Sequence, residues 1–531
     1  MTESSQQSSR QIARAAGTVM FAYVLSNLTG LIRQMLVSNT FGTGKELDAF
    51  YAAVTIPDLL FNLLAGGALA SAFIPIFTET LHKEDTGRAF GLFSAITSLI
   101  LLILGAASVI TVVFAPGIVN SILYAFDPSL DGSTRELSIA LLRVIMIAPT
   151  VFGISGIVMG VLNTHQKFLV PSLAPVVNWA GWIIGIIFFV PSMGIFGLAW
   201  GYVLGAILHL GIQIPSLLRI ERFVYSPLKG LGEPSVLKVL ALVGPRLLGV
   251  GAVQVNFLIN TMIAAGLEPG SLSAINIGRM VMTMPLFVIA QAIATAALPT
   301  FSAQVAKGQN SAMMTSLVST LRGVLLLSLP AAVGMILLRQ PITILLFQRG
   351  QFDERSTELV SWAILWFTSG LVGHALVEIL SRAFYALHDT KTPVTIGVVA
   401  MGLNIIFSFL FSGWFRELGY FPLGGLALAN SAATAIEAVL LLVWIRRRLG
   451  VFDLKSLLVG MLQFTVVSIS MGLAIFGWLV VSANTGLLFQ LLVAIVLGVA
   501  VFFIGVMVAK VPEARMFAEF ALNKVHGKTT S

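Results

Sequence analysis

The sequence predicts an all-α polytopic membrane protein with about fourteen transmembrane helices. Of the 531 residues, 57% are hydrophobic and only 10% are charged, whereas about 25% of the residues in an ordinary soluble domain are charged. Apolar runs of the roughly 20 residues needed to cross a bilayer recur from one end to the other. An internal repeat further predicts two six-helix lobes, and a one-sided distribution of loop charges predicts the orientation of the chain in the membrane.

The predicted spans follow one another with short connections, so no segment is long enough for a separate soluble domain. Merged runs around Pro57 and Pro285 leave the count open by about one or two. The polar residues 1–9 lack the layout of a cleaved signal peptide, so the first span is expected to act as an uncleaved signal. The span centres fall near residues 25, 63, 102, 150, 180, 205, 253, 288, 328, 370, 402, 434, 470 and 497.

Loop charges predict that both termini are cytoplasmic. With this orientation, 20 of the 31 Lys and Arg residues lie on the cytoplasmic side, six lie opposite and five lie within spans. That bias follows the positive-inside rule and requires an even number of spans. The basic residues sit mainly in short loops, so the pI near 9.8 does not indicate a nucleic-acid partner. The chain has no cysteine, which excludes disulfides and thiolate metal sites.

Two halves of the chain resemble each other at an offset of about 224 residues. Residues 70–78 (ASAFIPIFT) resemble residues 294–302 (ATAALPTFS). The offset covers six spans, so both halves enter the membrane in the same direction, and a substrate site is expected between them. We therefore predict an N-lobe at 1–225 with spans 1–6 and a C-lobe at 226–450 with spans 7–12. Residues 451–531 would add spans 13 and 14 and a cytoplasmic tail.

Five arginines lie within the predicted spans. A cation at the bilayer centre costs about 2.5–3.5 kcal/mol on insertion scales, so such residues usually face a polar cavity. A cavity lined with cations indicates an anionic passenger, and the chain is therefore predicted to be a transporter. The five residues are Arg33, Arg143, Arg246, Arg279 and Arg322.

Arg33 and Arg279 are the favoured substrate contacts. Arg33 lies nine residues before Gly42, about 13 Å along a helix, which is deep for a side chain that snorkels outward. Arg279 lies nine residues after Gly270, and its alternative role is a structural ion pair, although no carboxylate lies within a helical turn. The polar face that Arg33 shares on the first span comprises Tyr23, Ser26, Asn27, Gly30, Arg33 and Gln34.

The remaining intramembrane polar residues are weaker candidates for the substrate site. Arg143 and Arg246 each lie only eight residues into a span, and Arg322 has no visible partner in the sequence. Asn260 belongs to a polar seventh span where helix packing is the favoured role. Asp48 opens the second span, where it either caps the helix or positions Arg33 across a short loop.

Buried acids and histidines on the spans leave two roles open. They are suited to proton or sodium coupling, or they form structural pairs, for instance Glu378 with His374 one turn apart. The other members of this group are Asp58, Glu437 and His209. No catalytic arrangement lies in an aqueous segment, so an enzyme is not expected, and neither is a metal site. The glycine pairs at 66–67 and 424–425 follow no strand, which favours close helix packing over phosphate binding.

Several motifs resemble those of the MurJ (MviN) family of bacterial lipid II flippases, within the multidrug/oligosaccharidyl-lipid/polysaccharide exporter superfamily. The resemblance extends from about residue 15 to the C-terminus. Its most specific parts are GLIR at 30–33, FGTGKELDAF at 41–50, GALASAFIP at 67–75, GVLN at 160–163 with Pro171, Ala174 and Pro175, FQRGQF at 347–352, and RAFYALHDTKTP at 382–393.

The resemblance implies a two-lobed transporter that alternates between inward- and outward-facing states in the bacterial cytoplasmic (inner) membrane. Its substrate would be a lipid-linked anionic glycan, the peptidoglycan precursor lipid II, with the polyprenyl tail in a groove made partly by the last two spans. Arg33, Arg279 and Asp48 match functionally important family residues. Implied partners are membrane lipids and the cell-wall synthesis machinery. No cofactor is implied, and the driving force would be the membrane potential or an ion whose site the sequence does not place.

Three positions depart from the family pattern. Many members carry an arginine where this chain has Asn27, another where it has Phe61, and often an acid where it has Gly66. Either the remaining arginines suffice to hold the headgroup, or the headgroup differs. The alternatives to lipid II flipping are therefore export of another polyprenyl-linked glycan or a drug, and a non-transporting membrane scaffold.

Overall fold

A computed structural model describes residues 3–64, 67–83, 86–126, 132–221, 223–226, 234–450 and 453–513 of the chain. Within these ranges the side chains of residues 3–16, 64, 67–71, 234, 245, 246 and 248 are not described. Every regular element in the described ranges is a helix, which confirms the predicted all-α class.

The described residues form two compact units. The first unit comprises Met1–Ser273 and Arg349–Asp353, and the second comprises Ala274–Gln348 and Glu354–Ser531. The helices up to the end of the first unit are α1 Glu3–Phe41, α2 Lys45–Leu64, α3 Gly67–Lys83, α4 Thr86–Val113, α5 Ala115–Ile118, α6 Gly132–Ile145, α7 Ala148–Thr164, α8 Leu169–Ile184, α9 Val190–Met193, α10 Ile195–Gly211, α11 Ile214–Leu218 and α12 Pro234–Ala265.

The later helices are longer and mostly uninterrupted. They are α13 Ser271–Leu286, whose first three residues belong to the first unit, α14 Ala292–Ala306, α15 Asn310–Phe347, α16 Glu354–Ser369, α17 Leu371–Ala386, α18 Lys391–Glu417, α19 Leu423–Leu449, α20 Leu454–Val481 and α21 Leu487–Val508. Short π-helical turns at Val119–Leu123, Gly185–Phe189 and Phe287–Gln291 interrupt three of the helical rods along the chain.

Within the described ranges, eleven helical segments are long and apolar enough to cross a membrane. The count rises to thirteen if each of two bent pairs, one in α12 and one formed by α16 and α17, is a single span. Neither α2, which contains Pro57, nor α3 is among these segments, and residues 65–66 between them lie outside the described residues. The total of fourteen therefore remains a prediction.

Glycines allow α8 and α10 to pack backbone against backbone in the first unit. A Cβ atom built on Gly181 would lie 2.4 Å from the Cα atom of Gly205, and one on Gly185 would lie 2.4 Å from the Cα atom of Gly201. These small-xxx-small patterns are typical of closely packed membrane helices. The packing fixes the position of α8, which carries Trp179 and contacts α1.

The segment Arg349–Asp353 packs against the end of α1 and so brings together two motifs that are distant in the sequence. Gly42, at the end of α1, and Gly350 both adopt positive φ angles, 61° and 60°. A Cβ atom on Gly42 would lie 2.4 Å from the Gln351 carbonyl oxygen, and one on Gly350 would lie 2.3 Å from the Asn39 carbonyl oxygen. The Gln351 amide donates to that Asn39 oxygen at 2.9 Å. Only glycine suits both the backbone conformation and the space.

Close packing also begins α19 in the second unit. A Cβ atom on Gly424 would lie 2.2 Å from Trp362 Nε1, and one on Gly425 would lie 2.4 Å from the Ser412 amide nitrogen. These contacts confirm that this glycine pair serves helix packing. In the other glycine pair of the sequence analysis, Gly66 lies outside the described residues.

The two halves of the chain share local backbone features near the predicted offset. Gln166 after α7 and His388 after α17 are non-glycine residues with φ angles of 58° and 56°. The residue after each donates its amide to an oxygen five positions earlier, Lys167 to Leu162 at 2.9 Å and Asp389 to Phe384 at 3.0 Å. Such left-handed endings are common helix C-caps. They support the internal repeat, while the lobe boundaries at 225 and 450 remain predictions.

Candidate functional site

Arg33 lies in α1, packed between aromatic side chains of α8. Its Cζ atom lies 4.6 Å from the ring centroids of both Trp179 and Trp182. Its Nη1 atom donates to Gln34 Oε1 at 3.0 Å, and the hydroxyl of Tyr51 donates to the same oxygen at 3.0 Å. The residue is 8% exposed. A guanidinium between indole rings gains cation–π attraction, which is strongest away from water.

The guanidinium of Arg33 nevertheless retains unused hydrogen-bonding capacity. Its Nε atom is buried without an acceptor, and none of the described carboxylates lies within ion-pair distance of it. A buried cation without an anion is costly, so this arrangement is suited to receiving an anionic ligand. The buried position also contradicts the alternative in which Arg33 snorkels outward.

The polar face of α1 divides into a packed part and an exposed part. Gly30 packs against Trp179, since a Cβ atom there would lie 3.4 Å from the indole nitrogen. Ser26 is half-buried, and Asn27 is exposed and donates to the Tyr23 carbonyl oxygen at 2.9 Å. The part of the predicted face around Gly30 and Arg33 therefore packs within the first unit, and the part around Ser26 and Asn27 remains open.

Asp48 binds the N-terminus of another helix. One carboxylate oxygen accepts the amide of Gly270 at 2.6 Å, and the other accepts both the amide of Ser273 at 2.7 Å and its hydroxyl at 2.5 Å. A carboxylate at this place neutralises unpaired amides and the positive end of the helix dipole. Asp48 thus caps α13, the helix that carries Arg279, and is not paired with Arg33.

Arg279 is half-buried in α13. Its Nη2 atom donates to Asn276 Oδ1 at 3.2 Å, one turn earlier in the same helix. This contact directs the guanidinium along its own helix. The chain from Asp48 through the start of α13 to Arg279 therefore links two of the predicted site residues by covalent and hydrogen-bonded structure.

Arg322 has partners far away in the sequence. Its guanidinium makes a two-pronged ion pair with Glu513, which follows α21, and its Nη1 atom donates to the Ser456 carbonyl oxygen at 2.5 Å. The side chains of Arg322 and Glu513 are 9% and 15% exposed. This pairing has no signal in the sequence, because 191 residues separate the two partners.

The remaining candidates differ in their surroundings. Arg143 in α6 is exposed, and its Nε atom donates to the Val112 carbonyl oxygen at 3.4 Å. Asn260 in α12 donates to the Asn256 carbonyl oxygen at 2.9 Å, one turn earlier in the same helix, so the packing role favoured for it stays a prediction. The side chain of Arg246 lies outside the described residues.

The acids and histidines of the spans have polar neighbours. Asp58 accepts a hydrogen bond from the Tyr202 hydroxyl at 2.7 Å, and His209 Nδ1 lies 2.7 Å from Ser155 Oγ. No group of three or more His, Asp and Glu side chains converges on a metal-sized site within the described ranges.

The suggested pair between His374 and Glu378 is wrong. His374 Nε2 lies 3.0 Å from Asn430 Oδ1, and Glu378 pairs with Arg382 at 3.7 Å, one turn further along α17. His374 therefore pairs with an amide on α19, and Glu378 pairs with a cation on its own helix. Opposite charges one turn apart attract more strongly than a carboxylate and a neutral imidazole.

The aromatic enclosure of Arg33 was missed in the sequence analysis. Trp179 and Trp182 lie three positions apart, so they share one helical face. A tryptophan pair at this spacing on a predicted span is the signal that would have indicated a cation-binding face. Of the positions that depart from the family pattern, Phe61 packs against Phe152 with ring centroids 5.5 Å apart.

Comparisons with known proteins agree on one family. The family model described as lipid II flippase MurJ matches residues 37–497. The lipid II flippase MurJ of Burkholderia cenocepacia is 30% identical over 469 residues, which cover 87% of this chain and 89% of that protein. The probable lipid II flippase MurJ of Vibrio cholerae is 31% identical over 450 residues, which cover 82% of each.

Solved structures give the same answer for the fold. A structure of lipid II flippase MurJ in an inward closed conformation aligns with a TM-score of 0.78 at 25% identity, covering 92% of this chain and 98% of that one. An inward-facing MATE multidrug transporter of the MOP superfamily aligns with a TM-score of 0.65 at 16% identity, covering 80% and 94%, and shares the fold. This chain therefore belongs to the lipid II flippase MurJ family of multi-pass membrane transporters.

Proposed function

We propose that this protein moves lipid II from the cytoplasmic to the outer leaflet of the bacterial inner membrane by alternating access, for cell-wall synthesis. The observation that carries the proposal is Arg33, a buried arginine with no carboxylate partner among the described residues, in a chain of this family. Relatives named as lipid II flippases align over more than four-fifths of the chain. The transporter has no catalytic step of its own.

The diphosphate of the substrate is the group that Arg33 and Arg279 are suited to bind. An arginine presents planar donors that match phosphate oxygens, and both residues already have part of the guanidinium fixed by the protein. Ser26 and Asn27 would contact the headgroup from the open part of the same α1 face. Asp48 would act indirectly, through the start of α13.

The topology and the energy source complete the proposal. Both termini would lie in the cytoplasm, as the loop charges predict. Transport would draw on the membrane potential or on an ion and would require no bound cofactor. The cell-wall synthesis machinery would receive the product at the outer leaflet.

Gene replacement tests the proposal directly. The essential lipid II flippase of a model bacterium is depleted while this protein is expressed, and labelled lipid II is measured on the outer leaflet. Restored outer-leaflet lipid II together with growth is the expected result. Stable insertion without outer-leaflet lipid II would contradict the proposal and would favour the exporter of another polyprenyl-linked glycan, for which Asn27 and Phe61 are the supporting departures.

Substitution of the two arginines tests their role in the same strain. Arg33→Ala and Arg279→Ala are expected to abolish support of growth, with protein levels in the membrane unchanged. Arg416→Ala, which removes an exposed arginine from the last turn of α18, is the matched control and should support growth normally. Normal growth on either test variant would refute the role assigned to that residue.

A further inference from the structure

An open cleft lies between α4, α6 and α7 in the first unit. Its volume is about 400 Å³, and most of its lining is apolar. Val109 and Val113 of α4 are each 63% exposed, and Ile147, at the break between α6 and α7, is 45% exposed. Arg143 is the only charged residue in this lining.

Part of the Arg143 guanidinium is fixed at the end of α4. In a regular helix the Val112 carbonyl would accept the amide of residue 116, but that residue is Pro116, which has no N–H group. Arg143 Nε donates to this carbonyl oxygen at 3.4 Å. The proline therefore creates an acceptor, and the arginine is anchored there by one of its five donors.

The remaining donors of Arg143 point to a ligand. Among the residues that the structure describes, no other group accepts a hydrogen bond from its two terminal nitrogens, and no carboxylate pairs with it. An exposed cation on a transmembrane helix is retained only where water, a headgroup or an anion neutralises it. The apolar cleft beside it offers no such group from the protein.

We propose that this cleft binds an anionic phospholipid of the bilayer, with one acyl chain among Val109, Val113 and Ile147 and the phosphate on the terminal nitrogens of Arg143. The two nitrogens form a fork that matches phosphate oxygens. A cleft of about 400 Å³ is near the lower end of small-ligand sites. It is too small, and too poor in polar groups, for a sugar-bearing headgroup.

The depth of Arg143 is compatible with a lipid phosphate. Ser138, five residues earlier in α6, pairs with the hydroxyl of Tyr124 at 2.8 Å, where the turn Val119–Leu123 ends. Arg143 lies about 7 Å along α6 from Ser138 and about 16 Å from Gly132, the first residue of that helix. A long arginine side chain carries its charge part of the way towards the headgroups. Basic positions between membrane helices commonly bind anionic headgroups in this way.

The amount of each lipid that stays bound to the protein tests the proposed site. The full-length protein is placed in nanodiscs with equal amounts of phosphatidylglycerol and phosphatidylcholine, extracted with detergent, and examined by native mass spectrometry for lipids that remain bound. Phosphatidylglycerol is expected to be retained over phosphatidylcholine. In Arg143→Gln its affinity is expected to fall about ten-fold, as for the loss of one charge-assisted contact.

Two further variants separate the site from general effects. Val109→Trp fills the cleft and leaves Arg143 with its Val112 contact, and it should also reduce retained phosphatidylglycerol. Arg416→Gln removes an exposed arginine in the second unit and should change nothing. Equal retention by the parent protein and Arg143→Gln, or equal retention of the two lipids, would overturn the proposal.

A competition experiment tests whether the transported lipid, and not a phospholipid of the bilayer, occupies this cleft. Undecaprenyl diphosphate is added to the nanodiscs. If it displaces the retained phosphatidylglycerol from the parent protein, or if Arg143→Gln lowers its binding, the cleft is a substrate site and the proposal is wrong. Unchanged phosphatidylglycerol retention supports the proposal.

Discussion

At the scale of single residues, Arg33 and Asp48 show two ways in which a charge is accommodated inside this protein. Arg33 lies between the faces of two indole rings, and its charge is met by aromatic electrons and an amide oxygen. Asp48 receives three hydrogen bonds from the first turn of α13. The first arrangement leaves capacity for a ligand, and the second uses the carboxylate within the fold.

Substitution of Asp48 is expected to act on stability. Asp48→Ala removes three hydrogen bonds from the start of α13 and should lower the free energy of unfolding by about 2–3 kcal/mol. Asp48→Asn keeps an oxygen acceptor and loses the charge, so a loss of about 1 kcal/mol is expected. Thermal unfolding of the purified proteins in detergent measures both. Equal stability of Asp48→Ala and the parent protein would contradict the capping role.

The depth of Arg33 and its polar neighbours on α1 were predictable from the sequence, because helical spacing is a local property. Its enclosure by Trp179 and Trp182 was not predictable in the same way. It depends on how α8 packs against α1, about 140 residues away, and that packing is set by glycines on α8 and α10. Asp48 was recognised as a capping residue, but the helix that it caps begins more than 200 residues later.

At the scale of helices, the α8–α10 pair is the element that positions the aromatic enclosure. Gly185→Ala would place a Cβ atom 2.4 Å from the Gly201 Cα atom, so the two helices must separate. We expect a loss of about 1–3 kcal/mol in the free energy of unfolding, as for other overpacked interiors. Gly211→Ala at the end of α10 is the control, because a Cβ atom there meets nothing within 4 Å. A loss in the control as large as that in Gly185→Ala would refute the packing argument, and thermal unfolding distinguishes the two results.

The α20–α21 hairpin is held to α15 by the ion pair between Arg322 and Glu513. Partial burial raises the pKa of the Glu513 carboxyl, and hydrogen bonding to Arg322 lowers it. The lowering effects together outweigh the effect of burial, so the pKa lies below its ordinary value. Such a depressed pKa stabilises the fold fully above the ordinary pKa of about 4.3 and progressively less as the pH falls through the lower folded value.

This ion pair predicts a pH-dependent effect of Glu513→Gln. Near pH 7 the variant leaves Arg322 without its carboxylate and should lose about 3 kcal/mol of stability. As the pH falls from about 4 through the lower folded pKa, the parent protein should progressively lose the same contribution, so the two unfolding temperatures should converge. Glu417→Gln, at an exposed position in α18, should show neither effect. A difference between Glu513→Gln and the parent protein that is constant with pH would contradict the ionic explanation.

At the scale of the whole molecule, the sequence predicted the class, the family and the internal repeat, because each depends on patterns spread over hundreds of residues. Structural likeness between the halves extends to non-glycine residues with positive φ after α7 and α17, which no sequence pattern indicated. The division into compact units does not follow the chain order alone, since Arg349–Asp353 belongs with the first unit. That exchange depends on Gly42 and Gly350, whose contact joins two motifs that are distant in the sequence.

The ion pair of Arg322 also has a consequence for the order of synthesis. Glu513 is made 191 residues after Arg322, which at translation rates of about 5–20 residues per second is a delay of roughly 10–40 s. During that time α15 enters the membrane with its arginine but without the carboxylate, so early insertion of this helix must rely on its apolar residues. Attachment of the last two helices is therefore a late event in biogenesis, completed only after Glu513 has left the ribosome.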